Sequence, residues 1–175
     1  MLQRTRAKQV AEIYDIFIKK FPNVDDVVKA NPDELRALLR PLGLHHRIPR
    51  FIELFQKIHS DYNGKVPSDP KELLELPGVG KYVASAVLCF GFGKEVPIVD
   101  VNVVRVLSRF FGIRSTKKRP HTDPIFWEYA SRLVKIGNAK KVNEALLDFA
   151  SLVCQRRPRC NECPVKSTCV FLNET

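Results

Sequence analysis

The sequence predicts an all-α fold, and three observations carry that prediction. Apolar residues recur at three- and four-residue steps along most of the chain, as one buried face of a helix requires. Helix-opening signals, Asn31-Pro32-Asp33-Glu34 and Ser68-Asp69-Pro70, stand where new periodic stretches begin. No segment sustains the period-two alternation of a half-buried strand.

Taken in order, residues 7–21 carry Val10, Ile13, Tyr14 and Phe17 at helical spacing, and Pro22-Asn23 ends that helix. The helix opened by Asn31 is short and stops near Pro41-Leu42-Gly43. A longer one runs from about Arg47 to Tyr62 with Phe51, Leu54, Phe55 and Ile58 on one face, and Asn63-Gly64 turns the chain. Asp69 then opens a helix that meets the tight turn Leu76-Pro77-Gly78-Val79-Gly80, followed by another helix from about Lys81 to Phe90. Further helices fit residues 101–111, 124–136 and 140–154, with 114–123 as a polar, basic loop. No tandem repeat or low-complexity segment interrupts the pattern.

A chain of 175 residues suits one domain or two small lobes. Its net charge of +10 fits a polyanionic partner, of which nucleic acid is the usual one. There is no apolar run long enough to span a bilayer and no signal-peptide pattern, so the chain is expected to be soluble and cytoplasmic, with no membrane partner. Four of the five cysteines crowd the last quarter, a metal-site pattern rather than a disulfide framework.

The segment 69–90 reads helix, LPGVG, helix, with Leu73, Leu74 and Leu76 able to face Val83, Ala84, Val87 and Leu88. Gly78 and Gly80 permit unusual backbone angles and close approach, and unpaired N–H groups at such a turn attract an anion such as a DNA phosphate. Lys81 adds positive charge beside them. A plain helical corner is the alternative; the apolar-faced helices on both sides favour the phosphate site.

Cys154, Cys160, Cys163 and Cys169 are spaced C-x5-C-x2-C-x5-C. Zinc and a [4Fe–4S] cluster both accept four thiolates. Zinc fingers usually carry two C-x2-C knuckles, and the single one here suits a cubane better. Cys89, inside an apolar helix, reads as a core residue.

The hairpin LPGVGKYVASAVL, the segment VDVNVVRVLSR and the approach NEALLDFASLVC to the cysteine cluster, in that order, resemble the endonuclease III (HhH-GPD) superfamily of DNA glycosylases. The resemblance spans nearly the whole chain. It implies two α-helical lobes, a six-helix barrel over residues 1–95 and an iron–sulfur lobe over 96–175. Between them lies a cleft that takes a base flipped out of double-stranded DNA. It implies a [4Fe–4S] cluster on the four cysteines, a monomer, and in a prokaryote a nucleoid-associated location. By the same resemblance Asp100 is the catalytic aspartate, Gln3 and Leu44 enter the vacated helix, and Asn102 and Arg105 belong to the DNA-binding set with Gly78, Gly80 and Lys81. Asp100 also stands where a plain helix-capping aspartate would.

Bifunctional members carry a lysine where this chain has Tyr82. A one-residue step turns about 100° around a helix, so Lys81 is not expected to replace it and is expected to meet phosphate instead. Tyr82 with Asp100 eighteen residues on resembles the archaeal-type mismatch glycosylases, which remove thymine or uracil opposite guanine without cutting the strand. The alternatives are an adenine glycosylase, an endonuclease III-like glycosylase with lyase activity, and a non-catalytic DNA-binding iron–sulfur module. Two departures stand out. The first cysteine gap is five residues where the family usually has six, which allows a labile cluster. The chain also begins at a point that family members reach after about a helix and a half, so an amino-terminal helix is expected to be missing.

Overall fold

A computed structural model describes residues 5, 7–43 and 47–173 of the chain. Its regular elements are helical throughout: α1 (Ala7–Lys20), α2 (Val24–Lys29), α3 (Pro32–Leu39), α4 (Ile48–Tyr62), α5 (Pro70–Glu75), α6 (Lys81–Ala86), α7 (Val101–Phe111), α8 (Pro124–Val134), α9 (Ala139–Leu152) and α10 (Val170–Asn173). No strand occurs among the described residues. No helix among them is long and apolar enough to cross a membrane.

The chain packs as two compact units, Met1–Gly80 and Lys81–Thr175. The expected lobes, 1–95 and 96–175, differ from these units in the placement of residues 81–95, which group with the second half. The reason lies in the core: Cys89 packs with Ile98, Val134 and Ala139 in one buried cluster.

In the first unit Val10, Phe17, Phe21, Val27, Leu35, Leu39, Leu42 and Ile48 form the core. Phe17 meets Phe51 edge-on at 5.7 Å, and Phe51 lies 4.9 Å from Phe55, so α1 and α4 share an aromatic seam. Tyr14, expected on the apolar stripe of α1, is 52% exposed. Val10 and Phe17 lie seven residues apart and define the buried line, which leaves Tyr14 at its edge. The unexpected helix α2 opens on Asn23, whose side chain accepts the Asp26 N–H at 3.0 Å. Asn23 therefore starts a helix rather than ending one. His59 and Asp25 tie α4 to α2 at 2.8 Å. Asp69 caps α5, and Leu73 and Leu76 are buried behind it while Leu74, expected to face inward, is half exposed.

In the second unit α7 is the central element. Val103, Val104 and Leu107 pack on Phe126, Trp127 and Ala130 of α8 and are backed by Leu146 and Leu147 of α9. Helix α6 continues into a π-helical turn, Val87–Gly91, before the chain extends through residues 96–99 toward α7. That extended stretch is apolar and carries Pro97, which supplies no N–H for a helix. Ile98 and Val99 are buried to 1% and 0% exposure.

Candidate functional site

Asp100 stands where the extended stretch becomes α7. Its backbone is extended, and its Oδ1 accepts the N–H groups of Asn102 at 2.9 Å and Val103 at 2.8 Å. Oδ2 accepts the Asn102 side-chain amide at 2.6 Å. Asp100 is therefore a true helix cap, and the three bonds also hold a partly exposed carboxylate in one orientation. Capping and a chemical role can coexist in one side chain, because the bonds that satisfy the helix are the ones that aim the carboxylate.

The network continues along α7. Asn102 Oδ1 accepts from Arg105 Nη1 at 2.9 Å. Arg105 Nε donates to the Cys154 carbonyl and Nη2 to the Ala150 carbonyl, both at 2.9 Å. The spacing of three residues puts Asn102 and Arg105 on one face of α7, toward the carboxy-terminal end of α9, where terminal carbonyls lack intrahelical donors. Both residues, expected to contact DNA, are engaged inside the protein.

Tyr82 is 40% exposed. Burial of the rest of its ring raises the phenol above its ordinary value, and the negative charge of Asp100 adds to the rise. The hydroxyl is thus a neutral donor at physiological pH, within electrostatic reach of Asp100. Lys81, one residue earlier, projects elsewhere: its Nζ lies 3.8 Å from the centroid of the Trp127 ring, and burial lowers its value from the ordinary lysine range. The two neighbours therefore serve different surroundings, as the helical step requires.

The hairpin glycines divide. Gly78 has φ +79°, the left-handed conformation that favours glycine, and a Cβ there would stand 3.1 Å from Cδ of the Arg50 side chain. Gly80 has no such φ, and a Cβ would meet nothing within 4 Å. Gln3 and Leu44 lie outside the described residues.

Cys154, Cys160, Cys163 and Cys169 line one small pocket, walled by Val106, Phe149, Val165 and Phe171 among others. Among the described residues no group of three or more His, Cys, Asp or Glu side chains is gathered for one metal ion. Four cysteine side chains on one pocket supply the donor set that a four-thiolate metal centre takes. Arg109 reinforces this end of α7. Its Nη1 lies 3.6 Å from Cys154 Sγ and donates to the Gln155 carbonyl at 2.6 Å, while Nη2 donates to the Arg156 carbonyl at 3.0 Å. Cys169 Sγ in turn lies 3.6 Å from the Arg109 carbonyl. The remaining cysteine, Cys89, is buried as expected of a core residue.

Two residues of this site escaped the sequence reading. One is Arg109. The other is Asn143, 1% exposed, whose Oδ1 accepts the Ile98 N–H at 2.9 Å and whose Nδ2 donates to the Val96 carbonyl at 2.9 Å and toward Cys89 Sγ at 3.3 Å. It satisfies the buried backbone polar groups of the stretch that delivers Asp100. A signal was present: Asn143 falls seven residues before Ala150 on the apolar side of α9, where a polar residue calls for a buried partner.

Comparison with known proteins shows the family. Residues 1–132 match the model of the HhH-GPD superfamily base excision DNA repair protein family. The chain is 42% identical over 177 residues to a thymine-DNA glycosylase of Aeropyrum pernix, covering 99% of this chain and 79% of that protein. It is 40% identical to a thymine/uracil-DNA glycosylase of Pyrobaculum aerophilum, covering 98% and 76%. Among solved structures it is similar to a thermostable thymine-DNA glycosylase, with a TM-score of 0.92, 36% identity, and coverage of 99% of this chain and 81% of that one.

Proposed function

The chain belongs to the HhH-GPD superfamily of base excision DNA repair proteins, and from that premise we propose that this DNA glycosylase removes thymine or uracil mispaired with guanine and leaves the strand uncut. The observation that carries the reading is the pair Tyr82 and Asp100: a neutral phenol and an oriented carboxylate in electrostatic reach of each other, with no lysine at the position of Tyr82. The similarity to thymine and thymine/uracil glycosylases supports the choice of base.

The reaction is hydrolysis of the bond between C1′ of the deoxyribose and N1 of the base. The target nucleotide leaves the stack, because that bond is unreachable inside the duplex. As the bond breaks, its electron pair stays with the base and positive charge grows on the sugar. The Asp100 carboxylate, aimed by Asn102 and the first turn of α7, stabilises that charge and takes the proton of the water that adds to C1′. The Tyr82 hydroxyl donates a hydrogen bond near the same centre. Gly80, open to approach, and Gly78, which makes the turn, let a DNA phosphate reach the backbone N–H groups. Lys81 on Trp127 supplies no amine to the sugar, which supports base removal without strand cleavage.

Cys154, Cys160, Cys163 and Cys169 would hold a [4Fe–4S] cluster. Their place on one pocket, with the Arg109 guanidinium at one sulfur, fits four charged thiolates. Bound there, the cluster supplies a structural brace for the carboxy-terminal lobe.

A single-turnover assay tests the substrate. Duplexes with G·T, G·U, adenine opposite 8-oxoguanine, or an oxidised pyrimidine are incubated with the protein, then analysed with and without alkali. The expected result is cleavage of the G·T and G·U strands only after alkali. Nicking without alkali, or release of adenine alone, would overturn the reading.

A further inference from the structure

The loop between α7 and α8 is the most basic stretch of the second unit and takes no part in the site described above. Residues 114–123 hold Arg114, Lys117, Lys118 and Arg119 against one acid, Asp123. All four cations are exposed. Among the described residues none of the four forms an ion pair within 4.0 Å, whereas Arg132 and Arg159 of the same unit pair with Glu128 and Glu162. Four unpaired cations within six residues repel one another, at a cost that a folded chain usually relieves with carboxylates.

The loop is nevertheless built rather than slack. Ser115 Oγ donates to Asp123 Oδ2 at 2.7 Å and accepts the Lys117 N–H at 3.0 Å. The hydroxyl of Thr122 donates to the Arg119 carbonyl at 2.8 Å, and the N–H groups of Thr122 and Asp123 close a 3-10 turn at 2.9 Å each. Asp123 also caps α8 through the Ile125 N–H. The one acid of the loop is thus spent on folding it, and its charge is not laid over the outer cations, although Lys117 lies close enough to feel it.

Trp127 joins this loop to the start of α6. Its Nε1 donates to the His121 carbonyl at 2.8 Å, and its ring carries the Lys81 ammonium at 3.8 Å. Trp127 is itself 8% exposed and packed into the core of α7 and α8. One buried indole therefore touches both Lys81, which directly follows the glycine turn, and the His121 carbonyl of the loop.

We propose that Lys118 and Arg119, in the loop whose His121 carbonyl is bonded to the same indole that carries Lys81, form a second phosphate-binding surface that grips the duplex backbone. Such a surface carries no base information. It adds to affinity for any duplex, and it does so through counterion release. The inference rests on the reading of this chain as a DNA glycosylase, but its test uses binding alone, so a failure of either is separable from the other.

Affinity for a short, undamaged, labelled duplex is measured across a salt series for the full chain and for Lys118→Gln/Arg119→Gln. Loss of two phosphate contacts lowers the slope of log affinity against log salt by about 1.8 and weakens binding equally for unrelated sequences. Trp127→Phe keeps a ring beneath Lys81 but removes the bond to His121, and it is expected to lose part of the same slope. An unchanged slope in the double variant overturns the proposal and leaves the loop to an acidic protein partner. An unchanged slope in Trp127→Phe alone overturns the role given to the indole. Single-turnover base release at saturating protein is expected to be equal in Lys118→Gln/Arg119→Gln and the parent; a loss there would place the two cations in the chemistry instead.

Discussion

Helix α7 begins on a carboxylate and ends beside sulfur, and the two ends are held by opposite means. At its start Asp100 receives three hydrogen bonds from the helix itself, and its place is set further upstream by the buried Asn143 clamp on residues 96–98. At its other end the chain turns on Gly112, φ +70°, and Arg109 reaches out to the carbonyls and sulfur of the cysteine segment. Neutral donors serve the acid; a guanidinium serves the thiols. The contrast shows how one helix can position an acid at one end and cysteines at the other. Each receives donors of its own, and Arg105 spans between them, bonded to Asn102 on one side and the Cys154 carbonyl on the other. The carboxylate and the first cysteine are therefore mechanically linked.

The strongest way to break that link is Arg105→Leu. It strips the donor from two carbonyls and from Asn102, each worth about 1–3 kcal/mol when left buried and unpaired. A lowered melting temperature is expected together with a roughly tenfold slower base release, since a shift of about 1.4 kcal/mol in the barrier is tenfold in rate. A destabilised variant with an unaltered rate would show the two ends to be independent.

Asn143→Ala acts on the acid end alone. Leaving the Ile98 N–H and Val96 carbonyl unpaired costs about 1–3 kcal/mol of stability. The single-turnover rate is expected to fall several-fold while duplex affinity holds. In an Asp100→Asn background the same change should cost no further rate, which distinguishes positioning of Asp100 from general loosening.

Smallest is Tyr82→Phe, which removes one hydrogen bond of about 0.5–1.5 kcal/mol and so slows base release at most about tenfold. The phenol is raised from its ordinary 10.0, so the protonated donor persists as pH passes that value and is lost only above it. The rate difference between the parent and the Tyr82→Phe variant should therefore remain when the assay is run at about pH 10. A difference that closes at lower pH would deny the shift.

Much of this was readable from the sequence, for reasons that the residues make plain. Helices α1, α4, α7 and α9 are long enough for their apolar period to show, and Asp69 and Asn31 announce their caps. Helix α2 spans six residues, less than two turns, so no period could reveal it, and Asn23 reads as a stop because a cap and a turn use the same side chain. Asp100 and Tyr82 stand as candidates on the family resemblance, and the four cysteines on their spacing. The partners that Asn102, Arg105 and Lys81 take within the fold were not legible, because a polar side chain on a helix face chooses among partners that only tertiary packing supplies. Trp127 beneath Lys81 is far from it in the chain, and Cys154 lies 49 residues from Arg105.

The central claim is that the Asp100 carboxylate does the chemistry while its hydrogen bonds hold the helix, and Asp100→Asn tests it most directly. Asparagine keeps one oxygen to accept the Asn102 and Val103 N–H groups, while it removes the charge together with the oxygen that accepts the Asn102 side-chain amide. An intact fold and unaltered duplex affinity are expected, with single-turnover release from G·T or G·U duplexes slowed by about 10²–10⁴-fold. A variant that folds, binds and releases the base at the parent rate would contradict that claim.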